Sequence, residues 1–455
     1  MNKKRKHKFT AWQFLSLGYL FAIVTGAILL YLPISTNEGQ STTFLNALFT
    51  STSATCVTGL VPYDTNTHWS IFGQVVIICL IQLGGLGFMT FVTIFFRLLG
   101  KNIGVSQRKL LMLSSGEENR NEMNRLFKRI LLGTLLFEGI GAMLLSIRFI
   151  GDLGVGKGIY YAVWHSVSAF CNAGFDLMGG VFSNETFISL THYATDPLVC
   201  LTIIGLIVFG GLGFCVWDDF VECKGKIKQL RLHTRVVLSM TVILLVSSTL
   251  LFLLFERDNP EYTSFTFGEK LLVAFFNAVT PRTAGFNTVD LGKLSDSGYL
   301  LMVMLMFIGG SSASTAGGVK VTTIFIIVMG IFSVFRGKQD IELGKKRIHS
   351  ALLKQALAVF VTCLFIVTFT TVCICAFERD NPVATFQAVL FETFSAMGTV
   401  GLSLSLTPTL SVASKILLIL LMYVGRVGIL TIGLAFGEKK NTAEVKKPVD
   451  SVLIG

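Results

Sequence analysis

The chain has 455 residues, of which 52% are hydrophobic and only 14% charged, and its mean hydropathy is +0.69. Soluble domains carry roughly 25% charged residues, so the composition excludes a soluble protein and indicates a polytopic membrane protein. The net charge of +11 does not indicate a nucleic-acid partner, because the basic residues are concentrated in one set of connecting segments.

Four similar segments end in a glycine. They read SATCVTG to Gly59, SAFCNAG to Gly174, VTPRTAG to Gly285 and SAMGTVG to Gly401, at intervals of 115, 111 and 116 residues. A period as regular as this predicts four copies of one structural unit. Each copy places a polar segment between two long hydrophobic runs, which is how a chain can line a pore with backbone carbonyls.

Each unit is predicted to contain a crossing helix, a short pore helix, the glycine segment and a second crossing helix. The half-helices are too short to span a bilayer, which takes roughly 20 residues, so we expect them to be re-entrant and enclosed by protein. The predicted elements are, in chain order, 12–32, 43–54 and 71–96; 130–150, 159–169 and 197–217; 236–255, 269–280 and 299–335 (interrupted); 355–377, 384–396 and 414–436.

The predicted fold is therefore an all-α membrane protein with eight crossings and four re-entrant half-helices around a pseudo-fourfold central pore. The predicted units are residues 1–110, 111–229, 230–346 and 347–455. The basic N-terminal KKRKHK precedes an apolar run longer than a signal peptide's h-region, so we expect a retained first helix.

The distribution of charged residues predicts which connecting segments lie on the cytoplasmic side of the membrane. The connections 1–11, 97–129, 216–236, 335–355 and 437–455 hold 28 of the 38 Lys and Arg residues and 11 of the 27 Asp and Glu residues. The Lys and Arg excess predicts that these connections are cytoplasmic. Both termini are then cytoplasmic, and we expect a multi-pass protein of the cell membrane.

The four glycines suit a cation filter. A dehydrated alkali cation needs oxygens in place of its hydration shell, and backbone carbonyls supply them when successive C=O groups face one axis. Glycine adopts the required dihedral angles at little steric cost. The alternative interpretation is that these are helix-packing glycines, which are common in membrane helices.

The second crossings carry LGGLGF, FGGLGF, IGGSSAS and VGRVGI. Close helix packing explains Gly84, Gly85, Gly210 and Gly211. The third unit differs from the others in its second crossing, where residues 309–318 read GGSSASTAGG. Such a stretch is a poor helix former. We expect an intramembrane break that acts as a movable constriction, with a break made only for packing as the alternative.

Three basic residues lie in or near the predicted pore. An intramembrane charge is a functional hypothesis by default, and Arg426 has five donors that suit the carbonyls of the 309–318 segment; the alternative is pairing with Glu392 or Glu138. Lys320 is expected to face the cytoplasmic vestibule. Arg282 is expected to pair with an acid behind the filter.

Other chemistry finds little support. GDLGVGKG at 151–158 lacks the Ser or Thr and the preceding strand of a phosphate-binding loop. The nine cysteines look like free thiols, and the sequence shows neither a metal-ligand cluster nor a nucleophile elbow. We therefore expect no enzyme and no covalent cofactor.

At these residues the chain resembles the Trk/Ktr/HKT superfamily of potassium transporters, and within it the membrane subunit of bacterial Ktr systems. The segments TPRTAGFNT and SAMGTVGLS, the broken crossing and the deep arginine carry the resemblance. It implies a homodimer, a cytosolic RCK-type nucleotide-binding ring, and K⁺ transport with Na⁺ as a candidate activator. It also implies filter residues that bind K⁺, namely Thr58, Gly59, Ala173, Gly174, Ala284, Gly285, Val400 and Gly401. The implied gate comprises Gly309, Gly310, Ser311, Ser312, Ser314, Thr315, Gly317, Gly318 and Arg426.

The leading hypothesis is a passive, gated K⁺ path. The alternative within transport is an obligatorily coupled Na⁺/K⁺ symporter with alternating access. A membrane enzyme or receptor would need a polar catalytic cluster, which the sequence does not show. Glycine at all four filter positions favours K⁺ within the superfamily that the chain resembles.

Overall fold

The computed structural model describes residues 11–87, 120–338, 340–343 and 346–436. The predicted termini, the connection around 97–119 and the end of the 71–96 crossing lie outside these ranges. The described chain is helical apart from one short hairpin. Its helices are α1 Ala11–Tyr31, α2 Phe44–Cys56, α3 Thr65–His68, α4 Ile71–Leu86, α5 Arg120–Leu153, α6 Val155–Phe170, α7 Pro197–Leu212, α8 Phe214–Glu222, α9 Leu232–Phe255, α10 Pro260–Thr263, α11 Phe267–Val279, α12 Asp296–Phe307, α13 Val321–Phe335, α14 Ser350–Phe377, α15 Phe386–Gly398, α16 Val412–Val427 and α17 Ile429–Phe436.

Within the described ranges, four single helices are long and apolar enough to cross a membrane, α1, α5, α9 and α14, and the bent pair α7–α8 passes the same test when it is taken as one span. The four single helices lie where the first crossing of each unit was predicted. The half-helices α2, α6, α11 and α15 follow them. The hairpin pairs β1 Ile341–Leu343 with antiparallel β2 Lys346–Ile348 in the connection between the third and fourth units, where no strand was predicted.

The second crossings are shorter than the sequence predicted. The continuous helices α4, α7 and α16 stop at Leu86, Leu212 and Val427, whereas the apolar runs continue. Each stop is followed by a glycine with positive φ, +80° at Gly87, +97° at Gly213 and +86° at Gly428, a conformation that glycine adopts far more readily than other residues. At Gly213 the chain turns by 86° between α7 and α8.

The half-helices are the centre of the molecule. Each carries a bulky aromatic residue nine or ten positions before the glycine of its unit, and these side chains are at most 2% exposed: Phe49, Trp164, Phe276 and Phe391. The long first crossings present apolar residues outward instead. This arrangement buries the polar segments that follow the half-helices, as re-entrant backbone in a bilayer requires.

A repeated hexapeptide, FERDNP, ends the first crossing in the third and fourth units, at 255–260 and 377–382. Glu256 accepts hydrogen bonds from Ser295 N and Oγ at 3.1 and 2.7 Å. Glu378 accepts one from Ser411 N at 2.8 Å. Because Ser295 and Ser411 cap α12 and α16, each glutamate ties the end of a first crossing to the start of a second.

The Glu378 network predicts acid sensitivity. Glu378 lies just outside the membrane helix and is 5% exposed. Burial alone would raise its pKa, but hydrogen bonds from Ser411, Ser414 and Asn381 outweigh it and lower the pKa to about 2. A depressed folded-state pKa stabilises the fold above the unfolded value near 4.5, and this contribution is lost as pH falls from there towards 2.

We expect Glu378→Gln to remove roughly 2–3 kcal/mol of stability at neutral pH and to flatten the loss of stability below pH 4.5. Thermal unfolding in detergent across that pH range measures both effects. Asp380→Asn, at an exposed site in the same hexapeptide, is the matched control. Parallel acid curves for the native chain and Glu378→Gln would contradict this account.

Candidate functional site

The four glycine segments meet in a closed ring. In each unit the glycine contacts a carbonyl of the next unit, namely that of the residue just before the next glycine. The glycine of the fourth unit contacts the first unit in the same way, which closes the ring. A Cβ on Gly285, for example, would lie only 2.5 Å from Val400 O. The other three pairs are Gly59 with Ala173 O, Gly174 with Ala284 O, and Gly401 with Thr58 O. The structure therefore brings together all eight residues predicted for the filter.

The backbone of each ring segment alternates in handedness. The ring glycines have φ of +98°, +68°, +78° and +92° in chain order. The residue two positions earlier is also left-handed, with φ of +55° at Val57, +59° at Asn172, +71° at Thr283 and +51° at Thr399. Such alternation turns successive carbonyls to the same side. The sequence indicated the glycines, but it did not indicate the strained residues before them.

Hydroxyl groups in the last turn of each half-helix hold the ring backbone. Ser53 Oγ accepts Gly59 N, and Ser395 Oγ accepts Gly401 N, each at 3.0 Å. In the other two units the hydroxyl donates instead, from Ser168 to Phe175 O at 2.6 Å and from Thr280 to Phe286 O. The sequence analysis missed these residues, although a serine opens three of the four repeated segments.

Charged groups behind the ring have separate partners. Glu392 accepts Ser403 Oγ at 2.8 Å and Thr407 Oγ1, so it braces the chain that follows Gly401. Glu138 accepts Gln82 Nε2 at 3.3 Å. The expected acid partner of Arg282 is wrong for the part of the chain that the structure describes: its Nη2 donates to Thr241 Oγ1 at 3.3 Å.

A cavity of about 180 Å³ opens on one side of the ring. Its wall includes the four ring glycines and the carboxylate-bearing residues Asp176 and Asp290. Backbone and acidic oxygens together form a mouth that favours cations over anions.

The 309–318 loop lies on the opposite side of the ring. Ser311 N donates to Gly211 O at 3.0 Å, Thr315 N donates to Gly210 O at 3.3 Å, and Ala313 O accepts Phe214 N at 2.8 Å. At its other end, Gly317 packs against Thr399, two residues before Gly401. The loop thus extends from the second unit to the fourth, directly beneath the ring.

The loop closes on itself where it leaves and rejoins the helices. Gly309 N donates to Val319 O at 2.9 Å, and Val321 N donates to Gly310 O at 3.1 Å. Inside it, Ser314 Oγ donates to Ser311 O at 2.7 Å. Of the remaining predicted gate residues, Ser312 faces Thr322 Oγ1 at 3.3 Å, and Gly318 has φ of +65°.

Two basic side chains hold this loop. The guanidinium of Arg426 donates to Thr315 O and to Gly84 O, which is the contact to the loop that the sequence predicted; Glu138 and Glu392 are engaged elsewhere. Lys320 Nζ donates to Ala316 O at 2.7 Å. This contact gives Lys320 a partner that the sequence did not indicate; the expectation that it faces the cytoplasmic vestibule stays a prediction.

The glycine pairs of the second crossings pack against the half-helices. A Cβ on Gly84, Gly210 or Gly425 would overlap Thr55 O, Phe170 O or Met397 O, respectively. These three carbonyls all lie four residues before a ring glycine. The packing interpretation of the pairs therefore fits the structure, and the crossings support the ring from behind.

Comparison with known proteins identifies the family. Residues 13–444 match the family described as TrkH, cation transport protein. The chain belongs to the TrkH family. It is 39% identical to the potassium/sodium uptake protein NtpJ of Enterococcus hirae, over 100% of this chain and 99% of that one. It is also 39% identical to the Ktr system potassium uptake protein B of Bacillus subtilis, over 98% and 97%.

The fold also matches a solved structure of the family. The potassium transporter TrkH from Vibrio parahaemolyticus superposes with a TM-score of 0.71 at 18% identity, covering 96% of this chain and 86% of that one. The resemblance to the Trk/Ktr superfamily and the predicted all-helical membrane fold are confirmed. The protein is a multi-pass membrane transporter and not an enzyme.

Because α7 packs tightly at only some of its glycines, two Gly→Ala substitutions in this helix should differ in their effect on stability. Gly210→Ala should destabilise the protein by about 1–3 kcal/mol, because the added methyl overpacks the site. Gly205→Ala in the same helix meets no atom within 4 Å and should be neutral or slightly stabilising. Thermal unfolding of both variants in detergent checks this, and equal melting temperatures would show that the α7–α6 contact is not tight.

Proposed function

We propose that this chain carries K⁺ across the cell membrane through the carbonyl ring, and that the 309–318 loop, positioned by Arg426, gates the path. The observation that supports this most is the closure of the ring. Four backbone segments from widely separated parts of the chain converge in register, each with the alternating backbone that aims carbonyls at a common axis. Helix-packing glycines alone would not need such closure.

The surroundings of the ring suit a cation. The C-terminal ends of all four half-helices lead into it, and the negative end of the helix dipole stabilises positive charge within about one turn. The relatives' names specify potassium or potassium with sodium. Transport of K⁺ is consistent with the names of both relatives. Na⁺ is a candidate activator.

The loop suits a gate because it is held by a few directional contacts. Its bonds to Gly210 O and Gly211 O, with those from Arg426 and Lys320, are separable without unfolding a helix. A cation travelling from the ring would also meet the Arg426 charge close to its path, where a low dielectric strengthens repulsion. Moving the loop would relieve both barriers.

Assembly and orientation belong to the same proposal. We infer that both termini are cytoplasmic, as the basic connections suggest. We also infer that the chain forms a homodimer that carries an RCK-type nucleotide-binding ring on its cytoplasmic face. The homodimer and the ring rest on the Ktr resemblance, and crosslinking of the purified complex would test these two inferences.

The decisive experiment is K⁺ uptake in cells that lack their own uptake systems, measured with and without Na⁺. Growth on low K⁺ should depend on this chain. Purified chain in liposomes then separates the two mechanisms: K⁺ flux that follows the membrane potential without stoichiometric Na⁺ supports the gated path. Fixed coupling to Na⁺ would instead support the symporter.

Gly285→Ser should weaken discrimination between K⁺ and Na⁺. The added side chain must adopt φ of +78° beside Val400 O, which costs a non-glycine residue about 1–2 kcal/mol and would shift the neighbouring carbonyl. We expect the K⁺/Na⁺ permeability ratio to fall severalfold, because a shifted carbonyl changes the coordination that the ring offers to each ion. Gly151→Ser, at an exposed site with no neighbour within 4 Å, is the control. Unchanged selectivity would contradict the filter assignment.

Arg426→Ala should raise K⁺ flux, because it frees Thr315 O and removes the charge. Arg426→Lys keeps the charge but loses the two-carbonyl bridge, so it should give a smaller rise. Liposome flux relative to empty vesicles measures both. If flux in Arg426→Ala stays at the native level while the protein remains folded by size-exclusion chromatography, Arg426 does not control a barrier.

A further inference from the structure

The cytoplasmic end of the second unit carries an exposed apolar and basic surface. α8 leaves α7 at 86°, so if α7 crosses the bilayer, α8 lies close to the membrane plane. Phe220, Val221 and Ile227 are 49%, 57% and 71% exposed. Lys224, Lys226 and Lys228, in the segment that follows α8, are also exposed. We call these six residues the α8 patch.

The three acidic residues of α8 share two arginines, Arg129 and Arg231, which leaves one negative charge against the three lysines of the patch. Asp218 pairs with Arg129, Glu222 pairs with Arg231 at 3.2 Å, and Asp219 accepts the backbone N–H of Arg231 at 2.9 Å. The three lysines of the patch form no ion pair among the described residues. The patch therefore presents net positive charge beside apolar side chains.

A phospholipid at the bilayer interface satisfies both features. An in-plane helix with an apolar face and flanking lysines binds at the bilayer interface, and anionic headgroups add attraction for each basic residue. A soluble anion would leave the three apolar side chains in water.

α8 is also connected directly to the 309–318 loop. Its first residue, Phe214, donates its backbone N–H to Ala313 O at 2.8 Å. The preceding Gly213 lies so close to the loop that a Cβ there would be 2.8 Å from Ser312 O. A displacement of α8 must therefore either move the loop or break this hydrogen bond.

We propose that the α8 patch binds an anionic phospholipid of the cytoplasmic leaflet and that this contact acts on the gating loop through Phe214 N–H and Ala313 O. The regulatory half of this inference rests on the proposed function and its orientation. The lipid site itself does not depend on transport. The partner class is a phospholipid with a net negative headgroup, such as phosphatidylglycerol.

Binding is tested on the full purified chain by titration with dioctanoyl phosphatidylglycerol, with dioctanoyl phosphatidylcholine as the neutral probe. Replacing Lys224, Lys226 and Lys228 with Gln should weaken phosphatidylglycerol binding by about fivefold per lysine. The matched control replaces Lys157, Lys270 and Lys293, which removes the same charge from the opposite face. Equal affinity in the α8 and control variants would overturn the site.

The effect of lipid binding on the 309–318 loop is tested by K⁺ flux in phosphatidylcholine liposomes with and without phosphatidylglycerol. We expect a severalfold flux difference in the native chain, lost in the α8 triple variant. Phe214→Pro removes the N–H at the first helical position, where proline is tolerated, and should also lose the difference. Phe214→Ala removes the ring but keeps the N–H and should retain it.

The failures are distinguishable. Flux that is independent of phosphatidylglycerol, or a lipid effect that survives Phe214→Pro, overturns the transmission step. A patch whose lysines affect only the response to a cytosolic protein overturns the lipid assignment. Absence of K⁺ flux in either lipid, with binding intact, overturns the proposed function and leaves the lipid site standing.

Discussion

The physical constraint behind this structure is that four backbone segments must turn their carbonyls toward one centre inside an apolar assembly. A carbonyl points inward only if the chain alternates in handedness, and here four non-glycine residues, three of them β-branched, adopt left-handed φ to achieve this. Such conformations persist only where the surroundings over-determine them. The serine and threonine hydroxyls at the half-helix ends and the glycine pairs packed behind them provide that support. Much of the buried polar chemistry of the chain serves to hold these few strained peptides.

The polypeptide chain itself connects each of the first three units to the next. The fourth unit has no such connection to the first, and side-chain contacts join these two units. Lys415 Nζ donates to Asn46 Oδ1 at 3.2 Å, and Tyr423 OH donates to Ser16 O at 2.9 Å. Arg426 adds its bond to Gly84 O. All three lie along α16. Arg426 therefore has two structural roles, because the same guanidinium that holds the loop also joins the ends of the ring. Two carbonyls from different units solvate its charge.

The sequence predicted the features that repeat as residue types and missed those that exist only as backbone geometry. The spacing of Gly59, Gly174, Gly285 and Gly401 was sufficient to predict the ring, and GGSSASTAGG was sufficient to predict the break. The left-handed Val57 or Thr399 leaves no such signal, since β-branched residues ordinarily avoid that region. Gly87, Gly213 and Gly428 were visible in the sequence, but only the glycine pairs before them were interpreted, so the helix stops were missed. Arg282 was assigned an acid partner because charge pairing is the general rule, whereas among the described residues its guanidinium donates to the hydroxyl of Thr241.

The helix breaks explain how a gate could arise in one unit of a repeated fold. The last carbonyls of any helix lack partners within it, so stopping α7 at Leu212 exposes Gly210 O and Gly211 O, and these accept Thr315 N and Ser311 N of the loop. In a continuous helix Phe214 N would return to Gly210 O; here it donates to Ala313 O instead. The loop thus occupies hydrogen-bonding positions that the glycine break left open. Arg426 also donates to Gly84 O near the end of α4, a carbonyl that accepts Gly87 N as well. The third unit could replace a helical stretch with ten small residues because its neighbours already offered these acceptors beside the ring.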